Sequence, residues 1–312
     1  HRGETGYDIF TDSTGALIMG VYTRLEYGNA NIAVVTKKNL EETLTVAIDG
    51  ASRDYLSDYT DHLGYYDLFL VHPKGEIFYT VEKEADYETN ILNGEFSDSS
   101  LAEAVRESLD TTGFAFGDFA PYAPSGGAPA SFSAQPYAPN GETELVVALQ
   151  MSIQRINTVM QERAGLGETG ESYLVGPEKL MRSDSYLDPE NHSIEASFAN
   201  PEKGDVDTAA TRRALSGETG VDIITDYNGN PVLSAYTPIQ VYDTEWALLS
   251  EINEAEVRAP VNGLIRSIVV VALVIAAIVA LIGFLLALSI ARPMQKGVAF
   301  AQTVAGGDLT AD

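Results

Sequence analysis

Carboxylates dominate the groups able to do chemistry in this 312-residue chain: 45 Asp+Glu stand against 19 Lys+Arg, a net charge of -26. Paired carboxyls can serve general acid–base work, but acids are so abundant here that spacing singles out no pair. Cysteine is absent, and the four histidines, His1, His62, His72 and His192, are scattered. Thiol chemistry, disulfides and Cys-ligated metals are thereby excluded, and no HExxH spacing occurs. GxSxG, Walker and GxGxxG sequences are missing too. The acidic run Glu76–Glu88 lacks the alternation of a calcium loop and reads as a solvated face. We therefore expect no catalysis, no metal and no cofactor. A surface this negative repels phosphate backbones, so nucleic acid is not an expected partner.

The elements that position these groups are bounded by a membrane segment. Ile268–Ile290 contains 23 residues without a charge. As a helix it is about 35 Å long, enough to cross a hydrocarbon core of about 30 Å. Gly283 and the alanines offer small surfaces to another helix, which suits a homodimer. Residues 1–267 carry all of the net charge and are expected outside the cytoplasm, with 291–312 inside a bacterial cell membrane. The chain starts with His1 and reads as a fragment, with an upstream membrane helix and a downstream output domain expected.

Within the acidic part a phrase repeats. GETGYDIFTDSTGALIMGVYTRLEY at 3–27 matches GETGVDIITDYNGNPVLSAYTPIQVY at 217–242, at an offset of 214. Each copy reads as strand, Asp/Asn/Gly turn, strand, with a third strand at 30–37 and at 245–252. Apolar spacing predicts one helix over 39–59, a hairpin over 65–83 and a short helix near 100–109. Strands are expected at 130–135 and 144–152, and a helix at 153–162. Further on come a strand at 171–175 returned by the GPEKLM turn, a helix at 207–215 and three strands over 221–252. A helix over 251–266, with Pro260 as a kink, leads to the span. The fold class is α+β: antiparallel sheets flanked by helices, in two modules, followed by a transmembrane helix.

The order of these phrases resembles the double Cache sensor domain of bacterial transmembrane receptors, a pair of PAS-like modules with a long N-terminal helix. The phrases are YYDLFLVHPKGEIFYTVEKEADYETNI at 65–91, DFAPYAPSGGAPASF at 118–132, GLGETGESYLVGPEKLMRSDS at 165–185, GETGVDIITDYNGNPVLSAYTPI at 217–239 and WALLSEINEAE at 246–256. ARPMQKGVAFAQTVAGGDLT at 291–310 resembles the start of a HAMP linker. The resemblance implies a membrane-distal module at 38–160, a proximal one at 161–256, a juxtamembrane helix at 257–267, the span at 268–290 and the linker at 291–312. Residues 1–37 form a β tail resembling the end of a Cache module, a departure from the two-module plan. The implied function is ligand sensing and transmembrane signalling in a methyl-accepting chemotaxis receptor; the alternative is the input half of a sensor histidine kinase or nucleotide cyclase. Partners would be a small solute or a solute-binding protein, and cytoplasmic signalling proteins.

The resemblance also implies where a ligand sits: one face of the distal sheet and its covering loop, 113–137. Tyr66 and Asp67 open the first strand, Tyr79 lies on its return, and Asp118 and Tyr122 lie in the loop. A carboxylate beside aromatics suits a ligand ammonium. The family's amino-acid signature, Arg followed by Trp-Tyr on the long helix, is replaced by Arg53-Asp54-Tyr55. In the proximal module Arg182, Asp184, Asp226 and Tyr236 form a second set. There Arg182 either clamps an anion or pairs with an acid such as Asp184 or Asp226. Proximal modules of the family transmit more often than they bind, which favours the structural role.

Overall fold

Period-two alternation of apolar residues builds three antiparallel sheets in the computed structural model, which describes residues 6–12, 17–27, 30–45 and 54–306. β1 (Gly6–Thr11), β2 (Leu17–Tyr27) and β3 (Ala30–Asn39) form the first, in that order. The second contains β4 (Asp67–Val71), β5 (Ile77–Thr80), β6 (Ala115–Pro121), β7 (Pro129–Tyr137) and β8 (Leu145–Gln150), ordered β5-β4-β8-β7-β6. The third contains β9 (Glu171–Val175), β10 (Gly220–Thr225), β11 (Pro231–Val241) and β12 (Thr244–Asn253), ordered β10-β11-β12-β9. The helices are α1 (Leu40–Leu44), α2 (Tyr55–Leu63), α3 (Ser100–Thr111), α4 (Ile153–Met160), α5 (Ile194–Ala199), α6 (Pro201–Gly204), α7 (Ala209–Ala214) and α8 (Glu254–Ala305). The class is α+β, as the sequence predicts.

The five-stranded sheet buries both faces. Phe69, Val71, Ile77, Phe132 and Ala148 pack on Leu101 and Val105 of α3. Their neighbours in sequence, Leu68, Leu70, Phe78 and Val147, point the other way onto Ile9, Met19 and Leu40. The N-terminal sheet thus covers one face of the next. Each such Leu or Phe contributes about 1.5–3 kcal/mol by leaving water. A third cluster joins the five- and four-stranded sheets: Phe116 and Phe119 of β6 meet Tyr173, Trp246 and Leu249.

The repeat is real at the level of register. Gly6 faces Tyr22 and Gly220 faces Tyr236, and every rung between β1 and β2 has its counterpart between β10 and β11. Ile18↔Asn39 and Val232↔Asn253 extend the match to the third strand. In both copies the tyrosine fills the space beside the glycine: a Cβ would sit 2.8 Å from the Tyr22 hydroxyl or 2.5 Å from that of Tyr236, so a larger residue must displace the ring.

Some expectations need correction. The single helix over 39–59 is not continuous. Thr45 is extended after α1, and α2 starts afresh behind Asp54, whose carboxylate accepts from Ser57 N at 2.8 Å in a capping box. Residues 46–53 between them, Arg53 included, lie outside the described residues. Ala115–Pro121, expected as part of a loop, forms β6. The expected hairpin after β9 closes by a single bridge, Val175↔Met181. α5 and α6 were not expected.

The second compact unit begins at Glu254 and is α8, 52 residues with Pro260 and Pro293 inside it. It is long and apolar enough to cross a membrane, with a mean hydropathy of 3.3 in its most apolar stretch. Ser289 donates to Leu286 O at 2.8 Å, so its hydroxyl is satisfied within the helix.

Candidate functional site

Strand β4 starts with a carboxylate that the chain wraps completely. Asp67 has no exposed surface and accepts from Leu68 N at 2.6 Å, Val81 N at 2.8 Å, Glu82 N at 3.3 Å and Thr80 Oγ1 at 2.6 Å. Burial pushes its carboxyl up to about 6, against the pull of these donors. The bonds pin the turn after β5, which delivers Glu84 and Asp86.

Those two acids form a polar cluster with two tyrosines and a serine. Tyr66 donates to Glu84 Oε1 at 3.0 Å, and Ser125 donates to Glu84 Oε2 at 2.6 Å. Tyr122 donates to Asp86 Oδ2, while Asp86 Oδ1 is buried without a partner. Tyr122 is held from below by an edge-on contact with Phe132 at 4.8 Å. Its loop closes through Tyr122 N to Ala128 O at 3.0 Å and Gly127 N to Tyr122 O at 2.9 Å. Gly126 and Gly127, at φ +68° and +85°, make that closure possible. Tyr79 instead donates to both Asp54 oxygens at 2.8 Å. Burial is the main cause raising Asp86, with the Glu84 charge adding to it. Tyr66 is pushed up to about 12 by burial and by Glu84, and Tyr122 rises further for the same reasons with Asp86. Among the described residues no Lys, Arg or His pairs with Asp67, Glu84 or Asp86.

Asp118 is elsewhere. It sits on a β-bulge between Gly117 and Ala120, which turns its carboxylate toward the four-stranded sheet. Gly117 permits the close approach, since a Cβ there would lie 2.2 Å from Ser100 O. Arg182 grips Asp118 with two bonds, Nε to Oδ1 at 3.0 Å and Nη2 to Oδ2 at 2.8 Å, and Trp246 Nε1 donates to Oδ2 at 3.2 Å. Arg182 also donates to Glu178, to Leu180 O at 3.2 Å and to Met181 O at 3.4 Å. All five of its N–H groups are taken, and its guanidinium lies over Phe198 at 5.2 Å. A ligand anion would find no donor left.

The second set does not converge either. Asp184 accepts from Asn157 Nδ2 at 2.7 Å and from Ile194 N at 2.8 Å. Asp226 organises the β10–β11 turn through Asn228 N and Asn230 N, at 2.9 and 2.7 Å. Tyr236 donates to Asp222 at 2.9 Å and accepts from Arg213 at 3.1 Å. Arg182 therefore pairs with neither Asp184 nor Asp226; its acids are Glu178, four residues before it, and Asp118 from the other sheet.

The sequence reading overlooked Glu84, Asp86 and Ser125. Asp86 belongs to the run taken as solvated, yet it has no exposed surface. Its only local signal is the Tyr beside it.

No family model matches the chain, and no curated protein matches it. Solved structures do. The periplasmic sensory domain of the Campylobacter jejuni chemoreceptor Tlp1 is similar, with 15% identity and a TM-score of 0.45, over 64% of this chain and 76% of that one. The ligand-binding domain of the Pseudomonas fluorescens chemoreceptor CtaA in complex with L-serine is similar at 14% identity and a TM-score of 0.42, over 62% and 74%. So is that of the Pseudomonas aeruginosa amino acid chemoreceptor PctB with L-Arg, at 13% identity and a TM-score of 0.43, over 66% and 77%.

Proposed function

We propose that the chain is the sensing and membrane-anchoring part of a bacterial transmembrane receptor whose ligand is a small organic cation. The observation that carries the ligand reading is the cluster of Asp67, Glu84 and Asp86 without a paired cation, in which a buried Asp86 oxygen has no partner. An ammonium group would supply the missing donor, with the Tyr66 and Tyr122 rings beside it. Tyr79 and Asp67 fix the framework, and Asp118 acts through its bridge to Arg182. The 52-residue helix that follows β12 supports a receptor in the inner membrane, residues 1–267 outside and 291–312 inside. The output is that of a methyl-accepting chemotaxis receptor, working as a homodimer on cytoplasmic signalling proteins. A sensor kinase or cyclase would share the same input half. No catalysis is assigned to this chain.

Thermal shift of the full chain in lipid nanodiscs, against panels of amines and of carboxylates, tests the reading. An amine should raise the melting temperature, and Asp86→Asn should weaken its calorimetric affinity about 10- to 150-fold. Stabilisation by carboxylates alone, undiminished in Asp86→Asn, would sink it.

A further inference from the structure

A line of polar residues crosses the four-stranded sheet. Asp222 faces Ser234, Ser234 faces Glu251, and Glu251 faces Glu171. Cross-strand partners point to the same side with Cβ atoms about 4.5–5.5 Å apart. Glu171 and Glu251 are thus neighbours, and both are buried, at 3% and 4% exposure. Like charges so placed repel.

The two carboxylates are treated unequally. Glu171 accepts four donors: Tyr227 OH, Ser185 Oγ at 2.8 Å, Tyr186 N at 3.0 Å and Leu187 N at 3.2 Å. Glu251 accepts one, Tyr173 OH at 2.9 Å. No well-formed hydrogen bond reaches its Oε1 or involves the buried hydroxyl of Ser234 on the adjoining rung, although that hydroxyl is near enough to pull the Glu251 carboxyl down against the effect of burial. Glu171 is therefore equipped as an anion and Glu251 is not.

The surroundings add no compensating charge. From the β10–β11 turn come Tyr227 and Asp226, and the charges of Asp226 and Glu171 both act on Glu251. From the segment after β9 come Asp188 and His192, bonded to each other at 2.9 Å, with His192 stacked on Tyr227 at 4.1 Å. Arg163, before β9, spends its guanidinium on the carbonyls of Gly167, Glu168 and Gly170. Arg213 of α7 is engaged by Asp222 and Tyr236. Among the described residues no cation pairs with either glutamate.

We infer that Glu171 and Glu251 hold one proton between them, carried on Glu251, and that its release sets two like charges across the β9–β12 rung and loosens β12. Glu251 lies three residues before the start of α8, so the loosened strand is the one that continues into the apolar helix. Burial, joined by the charges of Asp226 and Glu171, pushes Glu251 up to about 7. The device does not depend on a ligand at Asp86.

The full chain in nanodiscs provides the test. Carbon-13-labelled glutamate in the wild type should report a protonated carboxyl that titrates near pH 7. Glu251→Gln should remove that titration, and Glu171→Gln should shift it downward. Hydrogen exchange, corrected for intrinsic rates, gives the second readout. Protection of β12 should fall about tenfold per pH unit between about 5 and 7 and then level off, because the folded form binds one proton more than the opened form. In Glu251→Gln that slope should vanish. A wild type with no glutamate titrating above pH 6 overturns the inference, and so does an unchanged slope in Glu251→Gln. The glutamate titration needs no variant, so a poorly folding Gln substitution leaves the test decisive.

Discussion

The N-terminal sheet and the four-stranded sheet share three strands in identical register, yet they end in different chemistry. On the rung where β10–β12 carry Asp222, Ser234 and Glu251, β1–β3 carry Asp8, Gly20 and Lys37. Glu251 is buried, with a fourth strand paired beside its own that sets Glu171 against it, whereas Lys37 is exposed, its ammonium 5.0 Å from the centre of the Phe10 ring. The ladder is common property of the repeat. The proton site comes from what is added to it, namely β9 and the segment that follows. Strand pairing alone does not perturb a carboxyl; withdrawal from water beside a second acid does.

Substitutions can sharpen this contrast. The largest effect is expected where the four-stranded sheet is tied to its neighbour. Asp118→Ala leaves the Arg182 guanidinium buried beside Glu178 alone, which should cost about 3–5 kcal/mol in denaturant unfolding. Next comes pH. Glu251 rises from 4.5 to about 7 on folding, so it stabilises the fold most in acid, and that contribution disappears as pH climbs through 7. Wild-type stability should therefore lose about 3 kcal/mol more than that of Glu251→Gln between pH 4.5 and 8, while the losses from the raised carboxyls of Asp67 and Asp86 persist in both. The paired glycines rank third. Gly220→Ala pushes into a Tyr236 fixed by Asp222 and Arg213 and should cost about 1–3 kcal/mol. Gly6→Ala meets a Tyr22 that is only half-buried and should cost less; equal losses would break the distinction between the copies. Smallest is Lys37→Ala, expected within about 0.5 kcal/mol of wild type.

Much of the fold could be read from alternation alone. β9, β7, β8 and β10–β12 lie where the apolar spacing put them, because each strand buries one side or both. β6 is hard to see in the sequence because Gly117 and Pro121 within it, and Gly113 just before it, give the stretch the composition of a loop. What fixes it as a strand is the burial of Phe116 and Phe119 against Trp246, from another part of the chain. The break between α1 and α2 was legible in principle, as Asp54 and Ser57 have capping-box spacing, but helical periodicity over 40–56 concealed it. The candidate site was less accessible. Asp118 and Arg182 are 64 residues apart, and nothing near either one names the other. Asp86 looks like its acidic neighbours until the sheet buries it. Local sequence encodes which face is apolar; it does not encode which acid the remaining elements will cover.

The matched registers also carry a consequence for inheritance. The ladder of β1–β3 gives way to a helix after Asn39, and that of β10–β12 does so after Asn253, at the same offset. An unequal genetic exchange between the two copies would add 214 residues without shifting a single rung or moving the residue at which the helix begins. The seam is therefore a point at which such a gene can lengthen by whole units, each insertion arriving with its strands already in phase.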